Sequence, residues 1–446
     1  MEDRSPISPA PPRTPLQKLA AAKVFPRLSF RHKHRKGDTG TNADMQPFLK
    51  VAGFLALSLG VAAIDCAGVN ALSPKCGSSE SAYTRDFFYV GGDYVPSSVP
   101  GQSIFTGQMY VEKLTPVTGV SQTYPLVFVS AGVPSGTCAH KVWLNTPDNR
   151  KGWASYFVEA GYQVYVVDIT GNGRSGQNDV AAFPQRFGST DNITQDGFTA
   201  PELAAHPFPQ ASGHDKWPGS GVRGDPVFDA FQASIVPLTS NSTNQELTMR
   251  AAGCALLSII GESVTFCHSG SCQYTVIMAD ECPDHIRASV NLEPTCLPFQ
   301  SMLGDPAGPG KGRLPSRPYG FTNTPLTYEP PVASAAELQP VEVGVDTPEL
   351  RSCFLQSTAA ANGTAAVRHT LPQVAKVPFN MYTASASPHI TYDHCVALYL
   401  NQTGVPYEWT KLSDVGIVGN GHFFFLETNN LEIAAVVEAD LQKLSA

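Results

Sequence analysis

Val264-Thr265-Phe266-Cys267-His268-Ser269-Gly270-Ser271 is the stretch that decides the fold. A run of β-branched and aromatic residues ends there in small residues, and a helix-like segment, Gln273–Glu281, follows. The pattern predicts a buried strand that turns sharply into a helix, with Ser269 held in the turn. The G-x-S-x-G pattern of such a turn is incomplete, because Cys267 and Ser271 occupy its glycine positions. The alternative interpretation is an ordinary strand that ends in a Ser-Gly turn.

Composition and charge describe a globular protein of 446 residues, 42% of them hydrophobic and 15% charged. The formal net charge of −8 argues against a nucleic-acid partner. The ten cysteines include no pair of CxxC motifs, so the sequence predicts no structural zinc. Gly171-Asn172-Gly173-Arg174-Ser175 lacks the spacing of a dinucleotide-binding loop, and we interpret it as a tight turn. We therefore expect neither a metal nor a cofactor.

The N-terminal region divides into two segments before the main domain. Residues 1–44 form a Pro-rich, basic extension that we expect to be disordered. Residues 45–71 contain the uncharged run Val51–Ile64, which is short for a membrane span but suits the core of a signal peptide. Met45 is therefore a candidate start beside Met1. An uncleaved membrane anchor is the alternative, and it would be the only membrane attachment.

Four N-x-[ST] sequons support export to the cell exterior. A single sequon means little, but four of them, together with a signal-like segment and ten cysteines, favour an oxidising, secreted setting. The candidate glycosylation sites are Asn192, Asn241, Asn362 and Asn401.

Strands and helices alternate through the first half of the main domain, residues 72–446. Phe87–Val95, Ser103–Leu114 and Tyr124–Ser130 are rich in aromatic and β-branched residues and predict successive strands. Gly152–Gly161 has helical spacing, and Gln163–Thr170 is a dense apolar strand. The alternation predicts an α/β fold with a mostly parallel sheet covered by helices on both faces.

A long segment before the Ser269 turn, Gln177–Thr243, is rich in Pro, Gly and aromatic residues and lacks clear periodicity. Such a segment in a compact fold is usually functional. Four of its aromatic residues either line an apolar substrate pocket or pack against the body: Phe208, Trp217, Phe228 and Phe231. A helix, Gln245–Ile260, follows. Its apolar residues Leu247, Ala251, Cys254, Ala255 and Ile259 share one face, and Gly261 ends it.

A serine nucleophile needs a base, and the base needs a third group to orient it. The strand Arg287–Leu292 delivers Glu293 to its carboxyl end, where Pro294 stops the strand. The later strand Val377–Thr383 ends without a carboxylate. Asp393 is the second candidate acid, although an acid at the start of the helix Asp393–Leu400 also suits the helix dipole.

His422 is the candidate base. It lies in Gly419-Asn420-Gly421-His422, after the predicted strand Glu408–Leu412, and we expect the apolar run Phe423–Phe425 to begin a helix. The chain order of serine, acid and histidine fits a strand-turn-helix nucleophile. His268, beside the serine, is expected to pack or to form a hydrogen bond rather than to act as a second base.

Several blocks of the sequence resemble a secreted α/β-hydrolase esterase family of fungi and bacteria. Trp143–Trp153 resembles the family's W-x-x-TPDGR-x-GW block, and Val166–Ser175 resembles its VD-x-x-GRGRS block. The resemblance continues through Pro325–Pro331 and ends with Gly-Asn-Gly-His at 419–422, so that it covers roughly residues 85–435.

This resemblance implies an α/β-hydrolase fold in which the insertion at about 177–243 forms a cap over the active site. It also implies hydrolysis of a carboxylic ester through Ser269, Glu293 and His422. The substrate would be a small ester with an apolar acyl or alcohol part, and the amides of Gly132 and Gly270 would form the oxyanion hole. The sequence departs from the family's blocks at three places: the family's TPDGR and GRGRS are TPDNR and GNGRS here, and Ser130-Ala131 replaces its His-Gly. The last of these bears on the expectation, because it lies in the loop that would carry the Gly132 amide. The alternatives are an amidase or lactonase with the same triad, and a catalytically silent binding protein on this fold.

Overall fold

A central β-sheet forms the framework of the fold, and the Ser269 turn directly follows one of its strands. The computed structural model describes residues 65–66, 68–130, 143–205, 207–302, 313–358 and 367–444. The predicted disordered extension 1–44, the run Val51–Ile64 and the Gly-rich loop after Ser130 lie outside the described residues.

Eight strands form this sheet: β1 (Tyr83–Pro96), β2 (Ser103–Pro116), β3 (Leu126–Ser130), β4 (Val164–Asp168), β5 (Ser263–His268), β6 (Ile286–Leu292), β7 (Phe379–Thr383) and β8 (Tyr407–Lys411). Their spatial order is β1-β2-β4-β3-β5-β6-β7-β8. Strands β3 to β8 run parallel to one another, whereas β2 is antiparallel to β1 and β4. Because parallel neighbours end at the same edge, the carboxyl ends of β5, β6 and β7 meet there.

In the described part of the chain, seven α-helices accompany the sheet: α1 (Trp153–Glu159), α2 (Asp191–Thr194), α3 (Pro226–Gln232), α4 (Ser242–Ile260), α5 (Cys272–Glu281), α6 (Asp393–Thr403) and α7 (Asn430–Leu444). Strand β3 shows how they cover both faces. Val127 and Val129 join an apolar cluster with residues of α4, α5 and α6, while Leu126 and Phe128 join a second cluster with α1 and α7. Alternate side chains thus face opposite layers, which explains the apolar character of the inner strands. The predicted α/β architecture is confirmed.

Helix α4 buries a different face from the one that its apolar residues mark. Leu247 and Ile259 are 52% and 67% exposed. The buried side carries Met249, Leu256 and Leu257. Both sides of this helix are apolar, so the hydrophobic pattern alone does not choose between them.

The segment 177–243 contains short elements and is closed at its base by pairing of Gln185–Arg186 with Leu238–Thr239. Trp217 and Phe231 are buried and contact the ring of Phe423. These two aromatics therefore pack against the body of the domain.

The run Phe423–Phe425 forms a buried turn, and the last helix, α7, begins only at Asn430. The expectation that this run begins a helix is therefore wrong. The three rings fill the space between the sheet and α1, where Phe425 stacks on Trp143 with ring centroids 4.6 Å apart. Packing of these rings outweighs their weak helical preference.

Disulfides tie several elements together outside the sheet. Cys254–Cys282 joins α4 to the end of α5, and Cys353–Cys395 joins a two-stranded ribbon to α6. The ribbon pairs Pro340–Val343 with Cys353–Gln356, and a second small pair joins Gln300–Ser301 to Leu314–Pro315. In the part of the chain that the structure describes, no helix is long and apolar enough to cross a membrane.

Candidate active site

The Ser269 turn adopts the backbone conformation that the sequence predicts. Strand β5 ends at His268, Ser269–Ser271 forms one 3₁₀ turn, and α5 begins at Cys272. Ser269 has a φ of +54°, a left-handed conformation that costs energy for a residue with a side chain. Such strain at a strand-to-helix turn is the feature by which a nucleophile elbow presents its serine.

A disulfide between Cys267 and Cys272 spans this turn. Cys267 occupies the position where the sequence pattern requires a small residue, and it meets this requirement by bonding across the turn. The hydroxyl of Ser271 adds a second brace, because it accepts from His268 N–H and donates to His268 O. The sequence indicates that these residues are small, but not that the two cysteines are paired.

Glu293 follows β6 and is fully buried, with a φ of +45°. One carboxylate oxygen accepts from the Ala384 N–H at 2.8 Å, and the other accepts from the Ser387 hydroxyl at 2.6 Å. The second oxygen also lies 2.6 Å from His422 Nδ1. Burial, followed by the charge of Asp393, raises the pKa of Glu293 well above its usual value.

His422 is buried and bonds Glu293 through Nδ1, so its Nδ1 carries the proton and Nε2 is the basic nitrogen. Within the described residues, Nε2 makes no hydrogen bond. Burial, and after it His268 and His389, lower the pKa of His422 well below its usual value. The ring is therefore neutral near pH 7 and can accept a proton.

His268 supports this histidine from the other side. Its Nε2 donates to His422 O at 3.0 Å, and the two ring centroids are 4.4 Å apart. Burial lowers the pKa of His268 to about 3, so the ring stays neutral. The interpretation of His268 as a packing and hydrogen-bonding residue agrees with these contacts.

The loop that carries His422 is anchored by Glu427, which the sequence analysis missed. The Glu427 carboxylate accepts from Gly421 N–H at 3.0 Å and from Asn420 Nδ2 at 2.8 Å. It also bonds His214 Nε2 at 2.9 Å, and His214 Nδ1 bonds Glu202 at 3.0 Å. His214 and Glu202 both come from the segment 177–243. That segment has no periodic pattern from which a partner for the histidine loop could be identified.

Asp393, the second candidate acid, has a different partner. It is the first residue of α6, but its fully buried side chain does not cap the helix. Its oxygens bond the Thr383 hydroxyl at 2.6 Å and His389 Nδ1 at 2.7 Å. Asp393 thus lies in the first turn of α6, as the sequence predicts, but its carboxylate bonds Thr383 and His389 instead of capping the helix.

Thr295 and His389 complete the surroundings of Ser269, and the sequence analysis missed both. The Ser269 and Thr295 hydroxyl oxygens are 2.8 Å apart, and Thr295 Oγ1 lies 3.4 Å from His389 Nε2. The His389 ring stacks on the His422 ring, with centroids 4.7 Å apart and an interplanar angle of 7°. A hydroxyl just after Glu293 is the only sequence signal that could have pointed to Thr295.

Over 400 residues the chain is 35% identical to the "Probable secreted lipase phiG" of Fungal sp. (strain ATCC 74256), covering 90% of this chain and 100% of that protein. The chain belongs to the α/β-hydrolase family of this lipase. A bacterial esterase structure shares the α/β-hydrolase fold, with a TM-score of 0.53, 19% identity, and coverage of 83% of this chain and 99% of that chain. No family model matches the chain.

The structure describes one of the two candidate oxyanion residues of this α/β-hydrolase. Gly270 follows Ser269 in the 3₁₀ turn, where the first N–H groups of a helical turn have no partner within that turn. Gly132 lies outside the described residues.

Among the residues that the structure describes, two groups of side chains have metal-binding donors close together. Donor atoms of Glu293, His389 and His422 lie within 4.8 Å of one another, but Glu293 and His422 already bond each other. In the second group, Cys353 and Cys395 form a disulfide, which removes both sulfurs as ligands. The histidine–carboxylate pair and the disulfide account for both groups.

The glycosylation candidates of this α/β-hydrolase differ in their surroundings. Asn192 and Asn401 are exposed on helices. Asn241 caps α4 by accepting from Asn244 N–H, and its Nδ2 donates to Ala182 O at 3.1 Å. Asn362 lies outside the described residues. Glycosylation at these positions stays a prediction.

Proposed function

We propose that this α/β-hydrolase is a secreted serine esterase, in which Ser269 is the nucleophile, His422 the general base and Glu293 the acid. The observation that carries the proposal is the 2.6 Å bond between Glu293 and His422 Nδ1, beside a serine in a left-handed turn. This bond leaves Nε2 of His422 as the proton acceptor. Glu293 and Ser269 both come from carboxyl ends of neighbouring parallel strands, which position side chains more rigidly than loops do.

Catalysis would proceed in two steps. Ser269 Oγ attacks the ester carbonyl while His422 Nε2 takes its proton, and the imidazolium is stabilised by the Glu293 carboxylate. The tetrahedral intermediate collapses as His422 gives the proton to the departing alcohol. Water then repeats the sequence on the acyl-enzyme and releases the acid.

The amides of Gly270 and Gly132 would stabilise the oxyanion. Removal of one such donor typically costs about 3–4 kcal/mol of transition-state stabilisation. The position of Gly270 directly after the serine supports its role, and the role of Gly132 rests on the sequence resemblance.

The substrate we propose is a small carboxylic ester with an apolar acyl or alcohol part. The family relationship to a protein named as a lipase supports this class. Secretion is supported by the same relative and by four disulfides among the described cysteines, which is the cysteine state of an oxidising compartment.

Hydrolysis of p-nitrophenyl butyrate by the secreted protein tests the proposal. We expect Ser269→Ala to abolish turnover, because alanine fills the same turn without a nucleophile. The matched control is Ser413→Ala, at an exposed serine, and it should keep the wild-type rate. Turnover by Ser269→Ala within a few-fold of wild type would contradict the assignment. A parallel p-nitroanilide substrate distinguishes an esterase from an amidase.

A further inference from the structure

Among the described residues, a second histidine–carboxylate pair lies beside the proposed acid–base pair, with the two histidine rings stacked. The first is Glu293–His422. The second is Asp393–His389, which reaches the serine through Thr295: 2.7 Å from Asp393 to His389 Nδ1, 3.4 Å from His389 Nε2 to Thr295 Oγ1, and 2.8 Å from there to Ser269 Oγ.

The hydrogen bonds of the second pair have a defined direction. Trp409 Nε1 donates to Thr383 Oγ1 at 2.9 Å, so the Thr383 hydroxyl is free to donate to Asp393. Asp393 thus accepts from Thr383 and from His389 Nδ1, as an ionised carboxylate does. With its proton on Nδ1, neutral His389 presents Nε2 as an acceptor for the Thr295 hydroxyl. Thr295 Oγ1 then accepts from Ser269. This series of hydrogen bonds directs the serine proton toward His389.

The surroundings of His389 favour protonation of only one of the two histidine rings, His389 or His422, at a time. The groups that face its ring are Asp393, His422, Tyr392 and the Thr295 hydroxyl. The backbone N–H of His389 donates to the hydroxyl of Ser387, and that hydroxyl donates to Glu293. Two imidazolium rings stacked at 4.7 Å would repel each other, so protonation of one ring disfavours protonation of the other. The two pairs are therefore alternatives.

We propose that Thr295, His389 and Asp393 form a second proton relay to Ser269; this inference rests on the esterase function proposed above. As Ser269 Oγ bonds the carbonyl carbon, its proton passes to Thr295 Oγ1 while the Thr295 proton passes to His389 Nε2. The carbonyl becomes an oxyanion, and His389 becomes an imidazolium paired with the Asp393 carboxylate. Collapse of the intermediate breaks the bond to the alcohol oxygen. That oxygen leaves as a phenolate when the ester is activated. Otherwise it takes the proton of Thr295 Oγ1, which His389 Nε2 replaces as it returns to its neutral form.

The contribution of the relay can be measured in a variant that lacks the His422 imidazole. We would follow acylation by p-nitrophenyl acetate in His422→Ala, since nitrophenolate leaves without a proton. General-base catalysis typically contributes about 10²- to 10⁴-fold to a rate. We expect His422→Ala to acylate at least about 10-fold faster than the variant that also lacks the Ser269 hydroxyl. Adding Thr295→Val, which keeps the side-chain shape, should remove this advantage.

Three further variants in the His422→Ala background separate a relay from a structural role. Thr295→Ser restores a hydroxyl and should restore the rate. His389→Gln should lower the residual rate to that of the Thr295→Val variant. Thr403→Val removes a buried hydroxyl that bonds only its own helix, and it should leave the rate unchanged.

Equal rates with and without the Thr295 hydroxyl would overturn the relay, as would a His422→Ala protein with no Ser269-dependent acylation. Wild-type turnover that depends on Ser269 would still support the proposed esterase in either case. A wild-type protein that is not acylated at Ser269 would overturn both.

Discussion

Glu293→Gln is the substitution whose cost can be worked out most directly from the structure. The carboxylate accepts from Ala384 N–H, Ser387 Oγ and His422 Nδ1. A glutamine has one oxygen and one NH₂ group at these positions. If the oxygen keeps the Ala384 amide, the NH₂ group faces His422, and the imidazole must move its proton to Nε2. That tautomer has no basic nitrogen directed toward the serine.

The expected loss in kcat is about 10⁴-fold, the cost of the equivalent change in a serine protease triad, and corresponds to about 5 kcal/mol. Because the ground-state substrate does not contact Glu293 in the proposed mechanism, KM should change little. The assay is steady-state hydrolysis of p-nitrophenyl butyrate, with circular dichroism to verify folding.

Glu246→Gln is the matched control for this prediction. Glu246 is a fully buried carboxylate on α4 that accepts from Asn323 and Thr324, so its loss reports on stability alone. It should keep the wild-type kcat. Asp393→Asn should remain active through His422. A dead Asp393→Asn enzyme beside an active Glu293→Gln enzyme would refute the assignment of the acid.

Three further predictions concern pH, processing and the loop anchor. Burial lowers the pKa of His422, and the neutral ring is the base in the proposed mechanism, so kcat/KM should decrease on acidification only below pH 6.5. A decrease in kcat/KM that begins above pH 6.5 would contradict this prediction. The Cys66–Cys76 disulfide predicts that the secreted chain begins before Cys66, which N-terminal sequencing checks; a start after it would leave Cys76 unpaired. Burial lowers the pKa of His214, but Glu427 and Glu202 outweigh this effect, so the pKa in the folded protein is raised. The stabilisation from His214 is therefore present at pH values below its pKa in the unfolded chain, and it is lost as the pH rises through its pKa in the folded protein. Urea unfolding of His214→Gln should lack this dependence, and an unchanged pH profile of stability would contradict it.

The sequence predicts the central strands because they carry local signals. β-branched and aromatic runs bounded by turn residues mark β1 to β6, and the observed bounds differ by a few residues from the predicted ones. Glu293 was favoured by the same logic, because a strand that ends at a proline delivers its last side chain to the sheet edge. Its 2.6 Å bond to His422 is in accord with that reasoning.

What the sequence does not predict depends on contacts between distant segments. The buried side of α4 is selected by the sheet beneath it, since the helix is apolar on both sides. Asp393 resembles a helix-capping acid until His389 and Thr383 are brought beside it by the fold. The Cys267–Cys272 pairing and the contact of His214 with Glu427 likewise leave no local pattern.

Covalent labelling tests the central claim, that Ser269 is an activated nucleophile, most directly. The secreted protein would be treated with a fluorophosphonate, digested, and analysed by mass spectrometry. We predict a single phosphonyl adduct on Ser269, loss of esterase activity in proportion to labelling, and no adduct in Ser269→Ala. An adduct on another serine, or inactivation of Ser269→Ala at the wild-type rate, would contradict the account.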